Sequence, residues 1–129
     1  MQKIVIITGG FEPLQLQHLA FIAEASELGD KLIVGLNSDE WLARRSEKPF
    51  LTWEDRYAKI RSLDHVDWVI PVDDKDETSK HTIWALRQVF PDARLIFANG
   101  GSRTAENTPE VKCDDDNVEF VFGVGDAKD

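Results

Sequence analysis

Short apolar runs and stretches of helical periodicity take turns along the chain. Lys3 to Ile7 is a β-branched run closed by Thr8-Gly9-Gly10, which predicts a buried strand opening into a tight loop. From about Leu16 the period changes: Leu19, Ile22 and Ala23 share one helical face, and Gly29-Asp30 stops the helix. Lys31 to Leu36 predicts a second strand, after which Asn37 can cap a helix with Glu40 three residues on. Thr52 opens another helix whose inward face carries Trp53, Tyr57 and Ile60. Asp67 to Val72 predicts a third strand, edged by Pro71. A helix from about Thr78 turns Ile83, Leu86 and Phe90 inward, and Pro91-Asp92 ends it. Arg94 to Ala98 and Val118 to Val124 read as the fourth and fifth strands, with a helix start at Thr108-Pro109-Glu110 between them.

Strand–helix alternation of this kind implies a Rossmann-like, doubly wound α/β fold: a five-stranded parallel sheet with helices on both faces. The Ile-Val-Ile-Ile run of the first strand lacks polar alternation, so a central place in the sheet is expected for it. Ligands of such sheets bind at the carboxyl ends of the strands. The loops after the first, second and fourth strands are therefore where chemistry is expected.

Composition narrows the partners. At 129 residues the chain suits one domain, residues 1–129, with a real core. Net charge is −9, and acid gathers at the end in Asp114, Asp115, Asp116, Glu119, Asp126 and Asp129. Such a surface repels nucleic-acid phosphates, so no nucleic acid is expected as partner. Basic residues gather instead in Arg44, Arg45, Lys48, Arg56, Lys59 and Arg61. That cluster suits a small anionic ligand, the alternative being a solvated helix face of mixed charge. Cys113 stands alone and can form no internal disulfide, in keeping with a cytoplasmic protein. The apolar run at the N-terminus is too short for a signal peptide or a membrane span, so no membrane partner is expected. Among His18, His65, His81 and Cys113 there is no metal-ligand spacing.

The loop Thr8-Gly9-Gly10-Phe11-Glu12-Pro13-Leu14-Gln15-Leu16-Gln17-His18 joins a strand to a helix. Adjacent glycines let backbone N–H groups approach a phosphate, and the helix start behind them favours negative charge. The spacing is neither a Walker A loop nor a dinucleotide fingerprint. By itself the glycine pair is also compatible with a plain tight turn.

The whole stretch resembles the signature of the cytidylyltransferase-like nucleotidyltransferases, Gly-x-Phe-Asp-x-x-His-x-Gly-His, a family whose small members include glycerol-3-phosphate cytidylyltransferase. Gly9, Phe11, Pro13, Leu14 and His18 fall at matching positions. Three residues depart from the pattern: Glu12 for aspartate, Gln15 for the first histidine and Gln17 for glycine. The resemblance implies attack of a substrate phosphate on the α-phosphorus of a nucleoside triphosphate, CTP favoured over ATP, with Mg2+ and release of pyrophosphate. It implies a small phosphorylated alcohol or sugar as acceptor. His18, Gln15 and Lys48 would serve catalysis, although His18 is also explicable as an ordinary helix-start histidine. Gly9, Gly10, Phe11, His18, Asn99, Gly100, Gly101, Ser102 and Arg103 would hold the nucleotide, with Ser102 where the family has aspartate. Arg44, Arg45 and Lys48, in a segment similar to the family's basic loop, would neutralise phosphate. Glu54 to Leu63 resembles the family's Glu-Arg helix and reads as scaffold, with Arg56 as a surface ion pair or a phosphate contact. The family also continues beyond the fifth strand into a Ser/Thr-rich helix start; no Ser or Thr follows Thr108 here, so that element is expected to be lacking or supplied by another chain. Family members pair as homodimers, and Trp41, Trp53, Trp68 and Trp84 are candidates for interface or core. Three functions stay open: a working transferase, a nucleotide-binding or regulatory module without catalysis, and a protein that kept only the fold.

Overall fold

The computed structural model of the chain describes residues 2–12, 14–45, 50–76, 78–100 and 117–124. Nine elements follow one another: β1 (Lys3–Gly9), α1 (Leu16–Ser26), β2 (Lys31–Leu36), α2 (Asp39–Arg45), α3 (Trp53–Arg61), β3 (Trp68–Pro71), α4 (Lys80–Val89), β4 (Arg94–Ala98) and β5 (Val118–Val121). The strands form one sheet in the order β3-β2-β1-β4-β5, and every pairing is parallel. β1 is central as expected, with Ile6 opposite Ile33 of β2 on one side and Phe97 of β4 on the other.

The unbroken apolar run of β1 is explained by cover on both faces. Val5 and Ile7 pack in one cluster with Ile22 and Ala25 of α1 and Ile60 of α3. Ile4 and Ile6 pack in a second with Ile83 and Leu86 of α4. Helices therefore lie on both faces of a doubly wound sheet. Among the described residues no helix is long and apolar enough to cross a membrane.

Several boundaries differ from the sequence reading. β3 is shorter than Asp67–Val72. The Asp67 carboxylate accepts from Leu32 N at 2.8 Å, which closes one end, and at the other Val72 N makes a last bond to Leu36 O at 3.1 Å as the chain leaves the sheet. β5 stops at Val121; Gly123 takes a left-handed φ of 73° and the chain turns until Val124 N donates to Asn99 O at 3.0 Å. Along α1 the buried stripe begins a turn later than expected, at Ile22 and Ala25, and Leu19 is 37% exposed. α2 is capped by Ser38 rather than Asn37: Ser38 Oγ accepts from Trp41 N at 3.0 Å. The expected helix start at Thr108 lies outside the described residues.

Candidate functional site

The carboxyl ends of β1, β2 and β4 bring three loops to one rim of the sheet. At the end of β1, Phe11 adopts a left-handed φ of 51°, a conformation that costs a non-glycine residue about 1–2 kcal/mol. Packing holds it there. The ring is buried, and a Cβ added to Gly9 would come within 3.1 Å of it. Gly10 is equally constrained, since a Cβ there would stand 2.7 Å from Leu42 and 3.4 Å from the Trp41 ring, both on α2. The glycine pair thus lets Phe11 fold back onto one side of the loop and α2 close over the other.

The loop then enters α1 through an interlocked set of side chains. Gln15 is the N-cap residue in extended conformation. Its backbone N–H donates to His18 Nδ1 at 3.0 Å. Gln17 Nε2 donates to Gln15 Oε1, also at 3.0 Å. His18 meets the Phe11 ring edge-on at 5.7 Å. Burial pushes the His18 imidazole below its ordinary pKa. A ring that accepts at Nδ1 and stays neutral carries its proton on Nε2, so His18 presents a neutral donor there.

Arg56 of α3 is the feature the sequence reading missed. It is 1% exposed and lies inside the molecule rather than on the helix surface. Its guanidinium donates to Leu51 O at 3.1 Å, Gly10 O at 3.2 Å and Asn37 O at 2.9 Å, and it pairs with Asp39 at 2.8 Å. One side chain therefore ties the β1 loop, the β2 loop, α2 and the approach to α3. Its signal was positional. Trp53, Arg56, Tyr57 and Ile60 have the spacing of one helical face, so an arginine stands inside an apolar stripe. Glu12, in the family's aspartate position, has a related role: its carboxylate accepts from Leu51 N at 2.7 Å.

The second loop is organised by Asp74, which is 4% exposed. Burial alone would raise its pKa. Hydrogen bonds from Asn37 Nδ2, Ser38 N and Ser38 Oγ, at 3.0, 2.9 and 2.8 Å, outweigh that and hold the carboxyl below the ordinary aspartate range. Beside it, a cavity of about 270 Å³ opens between Ser38, Asp39 and Trp53. The candidate arginines diverge. Arg45 lies over the Trp41 ring at 3.9 Å, the same ring that would stand 3.4 Å from a Cβ at Gly10. Arg44 instead reaches Asp74 O at 3.5 Å.

At the end of β4, Asn99 is buried and its amide donates to Phe97 O and Val121 O at 3.2 and 3.3 Å. Gly100 follows, where a Cβ would stand 2.8 Å from Val124 O. Lys48, Gly101, Ser102 and Arg103 lie outside the described residues. Among the described residues no group of three or more His, Cys, Asp or Glu could hold a metal ion.

Comparison with known proteins bears on the fold and the family. Residues 6–121 match the family model described as cytidylyltransferase-like. The bifunctional protein HldE of Haemophilus influenzae is 31% identical over 91% of the chain, which spans 27% of that relative's length. HldE of Aeromonas hydrophila is 34% identical over 81% of the chain and 21% of its own length, so the chain spans about a quarter of these curated relatives. A lipopolysaccharide core biosynthesis protein from Thermoplasma volcanium superposes with a TM-score of 0.70 at 23% identity, covering 95% of this chain and 96% of its own.

Proposed function

Because the chain belongs to the cytidylyltransferase-like family of nucleotidyltransferases, we propose that it transfers a nucleotidyl group from a nucleoside triphosphate, CTP before ATP, to a small phosphorylated alcohol or sugar. The observation that carries this reading is the β1–α1 loop. Phe11 and α2 pack over Gly9 and Gly10, and beyond them His18 and Gln15 stand as donors at a helix N-terminus.

In this reading an oxygen of the acceptor phosphate attacks the α-phosphorus. The new P–O bond forms as the bond to the bridging oxygen breaks, and the electron pair leaves with pyrophosphate. The chain's part is positioning and charge stabilisation. His18 Nε2 and the Gln15 amide donate to phosphate oxygens. Lys48 and Arg45 supply positive charge, and Gly100 to Arg103 close on the base and ribose, with the buried Asn99 holding the start of that loop. Mg2+ arrives as part of the triphosphate substrate, held by phosphate oxygens.

A second reading, a nucleotide-binding module without turnover, is favoured by one feature: the two donors Gln15 and His18 are both neutral. Calorimetry with CTP and ATP in Mg2+, followed by pyrophosphate release with a panel of phosphorylated alcohols and sugars, separates the readings. The transferase should prefer CTP and release pyrophosphate only when its acceptor is present. Binding without release across the panel would favour the module, and binding of neither nucleotide would refute both.

A further inference from the structure

We propose that Gln17, at the position where the family has glycine, is a positioning residue that orients the Gln15 amide toward phosphate. The proposal rests on the nucleotide-binding reading above and adds a residue to it.

An amide side chain has an accepting end and a donating end, and a phosphate can use only the donating one. A glutamine at an exposed helix start can present either, at a cost in rotamer freedom when one is selected. Here the choice is made within the protein. Gln17 Nε2 donates to Gln15 Oε1 at 3.0 Å, which occupies the accepting end of residue 15 and leaves its NH2 for a ligand. His18 is oriented by the same logic, because the Gln15 N–H on Nδ1 leaves Nε2–H as its donor. Two neutral donors, one turn of chain apart, are thereby set by contacts among residues 15, 17 and 18. Gln17 touches no phosphate in this arrangement and acts through Gln15.

The test is calorimetry of the whole chain with CTP, ATP and inorganic tripolyphosphate in Mg2+. It compares wild type, Gln17→Ala, Gln17→Glu, Gln15→Ala and the Gln15→Ala/Gln17→Ala double variant. Residues 15 and 17 are both exposed, and thermal melts confirm that each variant folds. Gln17→Ala should weaken binding by about three- to tenfold, the worth of one neutral hydrogen bond. Gln17→Glu should weaken it further, because a carboxylate there accepts from the Gln15 NH2 and turns the carbonyl outward. In the Gln15→Ala background, Gln17→Ala should change nothing, since residue 17 works only through residue 15. Wild-type affinity in Gln17→Ala, losses that add in the double variant, or tighter binding without the side chain would each overturn the proposal while leaving the nucleotide reading intact. Absence of binding in wild type would remove that reading, and the positioning role with it.

Discussion

His18 carries the sharpest consequence at the scale of single residues. Its ring is held by the Gln15 N–H and the edge of Phe11, and burial lowers its pKa. The folded chain therefore takes up this proton at a lower pH than the unfolded chain does. Stability from this group is fully present above the ordinary histidine value of about 6.5, and is lost as pH falls from there toward the lowered folded value. His18→Asn keeps an acceptor near the Nδ1 position and does not titrate. Thermal melts from pH 7.5 to 5.5 should thus show a steeper fall in Tm for wild type than for His18→Asn. Parallel pH profiles in the two proteins would show that His18 titrates alike folded and unfolded.

α1 shows how an element can be recognised from its sequence and still begin in an unforeseen way. Its apolar spacing was legible, but the interlocking of Gln15, Gln17 and His18 depends on rotamers at the first turn. Glutamine at position 17 accompanies glutamine at position 15, just as the family's glycine accompanies its histidine. Changing both together, Gln15→His with Gln17→Gly, restores a donor that can be cationic beside phosphate and removes a side chain from the helix start. If the chain is a transferase, pyrophosphate release at saturating nucleotide should rise by roughly tenfold to a thousandfold. No rise, with nucleotide affinity intact in both proteins, would point to the binding module. α2 offers a parallel case. Asn37 and Ser38 are both good capping residues; Ser38 Oγ takes the cap while donating to Asp74, and the Asn37 amide donates to the same carboxylate.

Across the whole molecule, the ligand rim is held together by Arg56. Removing its guanidinium would leave the carbonyls of Gly10, Asn37 and Leu51 without that partner and Asp39 without its ion pair. Arg56→Met, which roughly keeps the volume, should lower unfolding free energy by about 2–3 kcal/mol in urea denaturation, because the buried carbonyls of Gly10 and Asn37 lose their donor while the half-exposed Asp39 can turn to water. Arg56→Lys should recover only part of this, because one ammonium cannot span four acceptors that a planar guanidinium reaches. A loss under about 1 kcal/mol in Arg56→Met would mean that the rim is held by packing alone.

The order of strands and helices, the central place of β1 and the double cover of the sheet could all be read from the chain, because each depends on the spacing of apolar residues over a few turns or strand positions. The resemblance carried by Gly9 to His18 was legible for the same reason: the motif is contiguous. Tertiary structure alone decided which polar side chains serve the loop and which serve the scaffold. Arg56 meets Gly10 across 46 positions and Asp74 meets Asn37 across 37. Such partners become neighbours only when parallel strands bring their carboxyl ends to one rim. There burial makes an unpaired charge costly, so the choice of partners is made by closure of the sheet.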